Sequence, residues 1–262
     1  MKLHIYYMHY DTNKALEKER PEWFSYENCL INLLTTLSTS KVSFQIIFNI
    51  VFDGDVEDYQ NNFISNYFDI SDHQNHIFTT NIIFIKAGSG NASGNTVMNI
   101  IRDNLEIHDS DLIYTLENDY LHQNGWLEKI EKLYQSKSHF HYVTLYDHPD
   151  KYQHTPSYVK RYDKLVSKIY LTENHHWRTM TSTCFSFITK AEYFKKDILY
   201  FQKLRDVFIL PFLKIFKGRI LLAAIPALST HCMSRYMAPL VDWKKINDDA
   251  IKNINHNITN DF

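Results

Sequence analysis

The feature that most constrains this chain is an alternation that recurs through its first half. A short apolar run is followed by a polar cluster, and then by apolar residues at helical spacing. Leu3 to Tyr7 is the first run. Ser25 then stands as a helix cap ahead of Leu30, Leu33, Leu34 and Leu37. Phe44 to Phe52 is the second run and stops at Asp53-Gly54-Asp55. Asn81 to Ile85 opens into the Gly/Asn/Ser loop Ala87 to Asn95. A helix with Val97, Ile100, Ile101 and Leu105 on one face is expected next. Leu112 to Leu116 ends at Glu117-Asn118-Asp119, and Trp126, Leu127, Ile130, Leu133 and Tyr134 mark the helix after it. Phe140 to Tyr146 is a fifth strand. Strands alternating with helices predict a parallel sheet covered on both faces, a Rossmann-like α/β fold.

The second half is less regular. His148 to Thr183 is polar, aromatic and basic, with no strong period. A strand is expected over Thr183 to Ile188, helices near Glu192–Tyr200 and Asp206–Phe216, and a strand near Ile220–Ala224. The stretch after Trp243 is rich in Asn, Asp and Lys and reads as a tail that is mobile at its end. One continuous domain over residues 1–262 is expected.

Composition removes several classes of function. With 28 basic against 30 acidic residues, the chain has no basic footprint for nucleic acid. Cys29, Cys184 and Cys232 form neither a disulfide framework nor a paired metal motif, and reduced thiols in a cytoplasmic protein are the simplest reading. The most apolar stretch, Phe208 to Leu228, is broken by Lys214, Lys217, Gly218 and Arg219, so no transmembrane segment is expected. Met1 to Tyr7 lacks the long apolar run of a signal peptide. Aromatics reach 15 %, which allows carbohydrate stacking but is met equally by a Tyr- and Phe-rich core.

Open α/β sheets bind ligands outside the carboxyl ends of their strands. Asp53-Gly54-Asp55, the loop after Ile85 and Glu117-Asn118-Asp119 all sit at such ends and are expected to converge. A diphosphate repels bare carboxylates, but a divalent cation between them reverses the sign, since hard oxygen ligands bind Mg²⁺ or Mn²⁺. Acids just ahead of a helix can also serve its dipole without binding anything.

Leu112 to Asp119 followed by Gly125-Trp126-Leu127 resembles the strand, DxD-type motif and helix of GT-A glycosyltransferases, close to the family 2 types. The resemblance implies a three-layer α/β/α sandwich with a mixed central sheet. Residues 1–120 would form the nucleotide-sugar half, 121–245 the acceptor half and 246–262 a tail. It implies a hexosyltransferase-like enzyme that moves a sugar from a UDP- or GDP-sugar to a hydroxyl acceptor, such as a glycan or polysaccharide, with Mn²⁺ or Mg²⁺. On that resemblance Asp119 binds the metal, while Glu117 takes the ribose or supports the metal. Asn118 belongs to the same segment, and Asp53 reads the nucleotide base. Arg102 assists donor binding, unless it is simply a solvated helix residue. His231, after a late strand, is the additional metal ligand, or else a hydrogen-bonded loop histidine. Asp206 is the base of an inverting transfer, or a helix cap. Arg205 before it departs from the family pattern, where an acid is usual. His176 and Trp177 are placed on the acceptor side, together with the loop Tyr146 to Asp150. Two other functions stay open: a nucleotidyltransferase that makes a sugar nucleotide, and a non-catalytic sugar-binding module. Nucleotidyltransferases carry a Gly-rich basic loop after the first strand, where this chain has Tyr7-Met8-His9-Tyr10-Asp11.

Overall fold

The computed structural model describes residues 1–10, 19–70, 78–88, 90–136, 138–152, 166–204 and 206–257. The side chains of 90, 91, 206, 207 and 253–257 fall outside that description. The first half follows the expected alternation. β1 (Lys2–His9) leads to α1 (Tyr26–Ser38), β2 (Gln45–Asp53) and a short α2 (Val56–Gln60). β3 (Thr79–Ile85), α3 (Gly90–Asp103) and β4 (Leu112–Glu117) come next. Ser25 caps α1 as its composition suggests, its side chain accepting from the Asn28 N–H. β1, β2, β3 and β4 are all parallel to their neighbours, in the order β3-β2-β1-β4.

The remaining strands complete a mixed sheet. β5 (Tyr120–His122), α4 (Trp126–Gln135) and β6 (Tyr142–Thr144) are followed by β7 (Ile169–Thr172) and β8 (His175–Met180). Then come β9 (Phe187–Lys190), α5 (Ala191–Lys203), α6 (Asp206–Lys217), β10 (Leu221–Ile225), β11 (Ser229–His231) and α7 (Trp243–Asn257). The large sheet continues from β4 through β9, β6, β10, β8 and β7. β5 and β11 form a separate two-stranded ribbon.

Alternation along each strand sends its side chains into two cores. Leu3, Ile5 and Tyr7 of β1 pack on one face with Leu30, Leu33 and Leu34 of α1 and Trp126 of α4. Tyr6 and Met8 pack on the other with Val97 and Ile101 of α3, Phe194 of α5 and Leu213 of α6. Burial on both faces explains why the parallel strands read as nearly unbroken apolar runs.

Several expectations need correcting. Leu105 lies beyond the end of α3 and is 95 % exposed, so it is no part of that helix face. The strand expected from Thr183 begins only at Phe187, because Cys184 and Phe185 are left-handed, with φ of 49° and 61°. The irregular stretch from His148 holds the β7–β8 hairpin. Residues 153–165 lie outside the described residues. The expected tail from 246 continues α7, which packs against α1, with Trp243 and Ala250 buried. Residues 258–262 lie outside the described residues. Among the described residues, no helix is long and apolar enough to cross a membrane.

Candidate functional site

β1 and β4 are neighbours in the sheet, yet the chain reaches β4 only after stepping outward through β2 and β3. The strand order reverses between them, and a crevice opens at their carboxyl ends. Asn118 ties the two ends together. Its Nδ2 lies 3.1 Å from His9 Nδ1 and donates to the Tyr10 carbonyl at 3.2 Å. The cleft there has a volume of about 230 Å³ and is lined by Met8, Tyr10, Arg20, Ser93, Gly94, Glu117, Asn118, Asp119, Phe185, His231 and Met233.

Asp119 is its electrostatic centre. The β5–β11 ribbon sets His231 opposite Tyr120, with the two rings stacked at 5.1 Å. This brings His231 Nε2 to 2.8 Å from Asp119 Oδ2. The Cys232 N–H donates to the Asp119 carbonyl at 2.9 Å and fixes the same loop. From the other side, Arg20 donates Nη2 to Asp119 Oδ2 at 2.7 Å and Nη1 to the Cys232 carbonyl at 3.0 Å. The Phe24 ring lies 4.6 Å from that guanidinium. Asp119 is only 6 % exposed. Burial alone would raise its pKa, but the facing His231 and Arg20 outweigh burial and hold it at about 2. Burial likewise works against a charged His231, yet Asp119 and then Glu117 hold its pKa above the usual value. Asp119 Oδ1 is buried and has no hydrogen-bond partner among the described residues.

Glu117, Asp119 and His231 each offer one ligand atom, all within 4.8 Å of one another. Two carboxylates and an imidazole suit a divalent cation that accepts mixed oxygen and nitrogen ligands. Asp119 Oδ1, buried and without a hydrogen-bond partner among the described residues, is an oxygen already stripped of water, so the residues fit such an ion. Ser93 and Gly94, from the first turns of α3, face the same cleft, and the positive end of that helix dipole favours phosphate. Gly94 has a steric reason to be glycine. A Cβ there would lie 2.9 Å from Phe185 Cε1.

Not every expected site residue joins this cluster. Asp53 is near it, but its carboxylate serves its own chain. It accepts from the Ala87 N–H at 2.8 Å, the Gly88 N–H at 3.1 Å and the Ser93 hydroxyl at 2.5 Å. It therefore holds the loop that begins α3. Arg102 sits at the far end of α3, about 13 Å along the axis from Ser93 at the usual helical rise, and pairs with Asp103 at 2.7 Å. Trp177 is fully buried, and its Nε1 donates to Thr172 Oγ1, so it has no face free for a sugar. His176 is exposed on β8. Asp147, in the expected acceptor loop, is 1 % exposed and paired with Arg178 and Tyr152. Asp206 begins α6, and its side chain lies outside the described residues. Sequence reading missed Arg20 altogether. It sits in the irregular Glu19-Arg20-Pro21 segment, where no period marks it out.

No protein-family model matches the sequence, and no curated protein does. Solved structures match it distantly. TarS of S. aureus, residues 1–349, is 12 % identical, and the match covers 85 % of this chain and 58 % of that one at a TM-score of 0.48. The inositol-1-phosphate CTP transferase from T. maritima is 12 % identical over 98 % of this chain and 97 % of its own, with a TM-score of 0.47. A protein assigned as a glucose-1-phosphate thymidylyltransferase from Bacillus anthracis is 11 % identical over 95 % of this chain and 94 % of its own, with a TM-score of 0.49. Likeness at this level is one of architecture, and none of the three argues for a particular activity here.

Proposed function

We propose that the chain transfers a glycosyl group from a nucleoside-diphosphate sugar to a hydroxyl acceptor in the cleft between the ends of β1 and β4. The observation that carries the reading is the Glu117–Asp119–His231 cluster, with its buried, unpartnered Asp119 Oδ1, facing the first turns of α3. Glu117, Asp119 and His231 would hold Mn²⁺ or Mg²⁺, and the mixed donor set favours Mn²⁺. Such an ion supplies positive charge to the departing diphosphate.

The chain's own groups do the rest. Arg20 lines the cleft with its guanidinium held by Asp119 and the Cys232 carbonyl, and it adds positive charge beside the diphosphate. The α3 terminus adds backbone dipole on the same side. Met8, Phe185 and Met233 give the cleft an apolar wall against which a planar base can lie. Asp206 remains the proposed base for an inverting transfer, taking the acceptor proton as its oxygen attacks the anomeric carbon. His176, the exposed residue of its pair, is the remaining acceptor-side candidate. Asp53 can read a base only by releasing hydrogen bonds that it makes to its own loop.

Calorimetric titration of UDP and GDP, with and without Mn²⁺, tests the reading. The native chain should bind one of them more tightly with the ion. Asp119→Ala should lose at least about tenfold of that ion-dependent affinity, since losing even a hydrogen-bonding partner of a metal ligand costs that much. Unchanged affinity in the variant would overturn the assignment. Product analysis separates the rivals. Nucleoside diphosphate released from a sugar nucleotide indicates glycosyl transfer. Pyrophosphate released from a nucleoside triphosphate and a sugar phosphate indicates nucleotidyl transfer. Binding without either product indicates a sugar-binding module.

A further inference from the structure

α6 has two apolar sides. Ile209, Leu210 and Leu213 point inward and are buried, whereas Ile215 and Phe216 are 75 % and 69 % exposed. The outward patch continues onto α5. The Phe212 ring lies 4.4 Å from Phe216 and 5.1 Å from Tyr200, and the neighbouring Leu199 is 56 % exposed. A helix that is apolar on both sides is ordinarily covered on both.

The charge around this patch bears on which partner would suit it. Lys196 and Lys203 flank Leu199 on the exposed side of α5, and Lys214 is exposed beside Ile215. Ala191 to Arg219 holds seven basic residues against three acidic, while the rest of the chain holds 21 basic against 27 acidic. Glu192 pairs with Lys196 at 3.3 Å, Asp109 with Lys195 at 3.1 Å, and Asp197 with Lys217 and Arg219, which leaves Lys203 and Lys214 without an acidic partner among the described residues. A second copy docking through a two-fold axis would set this basic patch against itself. A neutral apolar partner would satisfy the rings but not the ammonium groups. An anionic bilayer satisfies both, with aromatic and aliphatic side chains entering the acyl boundary and lysines reaching the headgroup phosphates.

We propose that the outward faces of α5 and α6 seat this protein on anionic membrane surfaces, as a peripheral contact made through Leu199, Ile215 and Phe216 and steered by Lys203 and Lys214. The inference does not depend on the reaction carried out in the cleft.

Cosedimentation of the full chain with vesicles tests it. Phosphatidylcholine vesicles are compared with a two-to-one mixture of phosphatidylcholine and phosphatidylglycerol. The chain should pellet with the mixed vesicles, far less with phosphatidylcholine alone, and less as salt is added. Each lysine near an anionic surface is worth roughly fivefold in partitioning. Lys203→Glu with Lys214→Glu should therefore lose well over tenfold. Ile215→Glu with Phe216→Glu should lose a comparable factor, and Leu105→Glu, an exposed apolar residue elsewhere, should change nothing. Circular dichroism checks that each variant is folded. Failure to pellet with either vesicle, or pelleting indifferent to both double variants, overturns the proposal. So does a dimer in sedimentation velocity that Ile215→Glu with Phe216→Glu dissociates, since the patch would then be covered by a second copy.

Discussion

A single carboxylate, Asp119, receives both an arginine and a histidine on the same oxygen while its other oxygen is left buried and unpartnered. Its neighbour at the strand ends, Asp53, is spent differently, with both oxygens taken up by the loop that starts α3. The two acids looked alike in the sequence, because strand alternation shows where a strand stops but not what its terminal side chain faces. The contrast is testable. Asp53→Ala orphans two N–H groups and a hydroxyl, and should cost about 1–3 kcal/mol of stability, read as a lower urea midpoint at an unchanged denaturant slope. The preference between uridine and guanosine nucleotides should survive in whatever fraction remains folded. A stable variant with altered base preference would restore the base-reading role. Arg20 was illegible for a plainer reason. It reaches Asp119 across 99 positions of sequence from a segment with no periodicity, and nothing local distinguishes it from any surface arginine.

At the scale of elements, the parallel half was readable because strands buried on both faces and amphipathic helices leave long signals. The ribbon that delivers His231 was not, since β5 and β11 are three residues each. Such short pairings are fixed by their partners rather than by their own composition. The β7–β8 hairpin was hidden for a related reason. β7 is an edge strand with Ile169 and Leu171 turned outward, 60 % and 68 % exposed, so its apolar residues do not mark an inner face. One polar device holds four elements together in the second half of the chain. Asp197 on α5, fully buried, accepts from Tyr142 of β6 at 2.9 Å, Lys217 of α6 at 2.8 Å and Arg219, just before β10, at 2.7 Å. Removing one partner of a buried ion pair leaves the others uncompensated. Asp197→Ala should thus cost about 3–5 kcal/mol, measured by denaturant unfolding. A loss below about 1 kcal/mol, the scale of a surface pair, would show the network to be solvent-screened.

The whole molecule carries a signature in its response to acid. His122 is fully buried against Tyr114, and burial lowers its pKa to about 3. Burial also lowers His141 and His175, each to about 4. Below about pH 6.5 the unfolded chain takes up protons at these rings that the folded chain refuses, so stability falls as the pH drops from there toward the folded values. His122 alone contributes a slope of roughly 1.4 kcal/mol per pH unit within that window. The melting temperature should therefore fall between pH 7 and pH 5, and His122→Gln should flatten the decline. An equally steep decline in the variant would exonerate His122.

α7 lies across α1, one of the earliest elements made resting against the last one described, with every strand after β1 between them in sequence. During synthesis the leucine face of α1 can pack on its strands early, but its outer flank stays bare until Trp243 and the turns behind it emerge from the ribosome. A nascent chain stalled short of α7 would thus present that flank of α1 to chaperones, and sealing it waits on the last helix described rather than on the sheet.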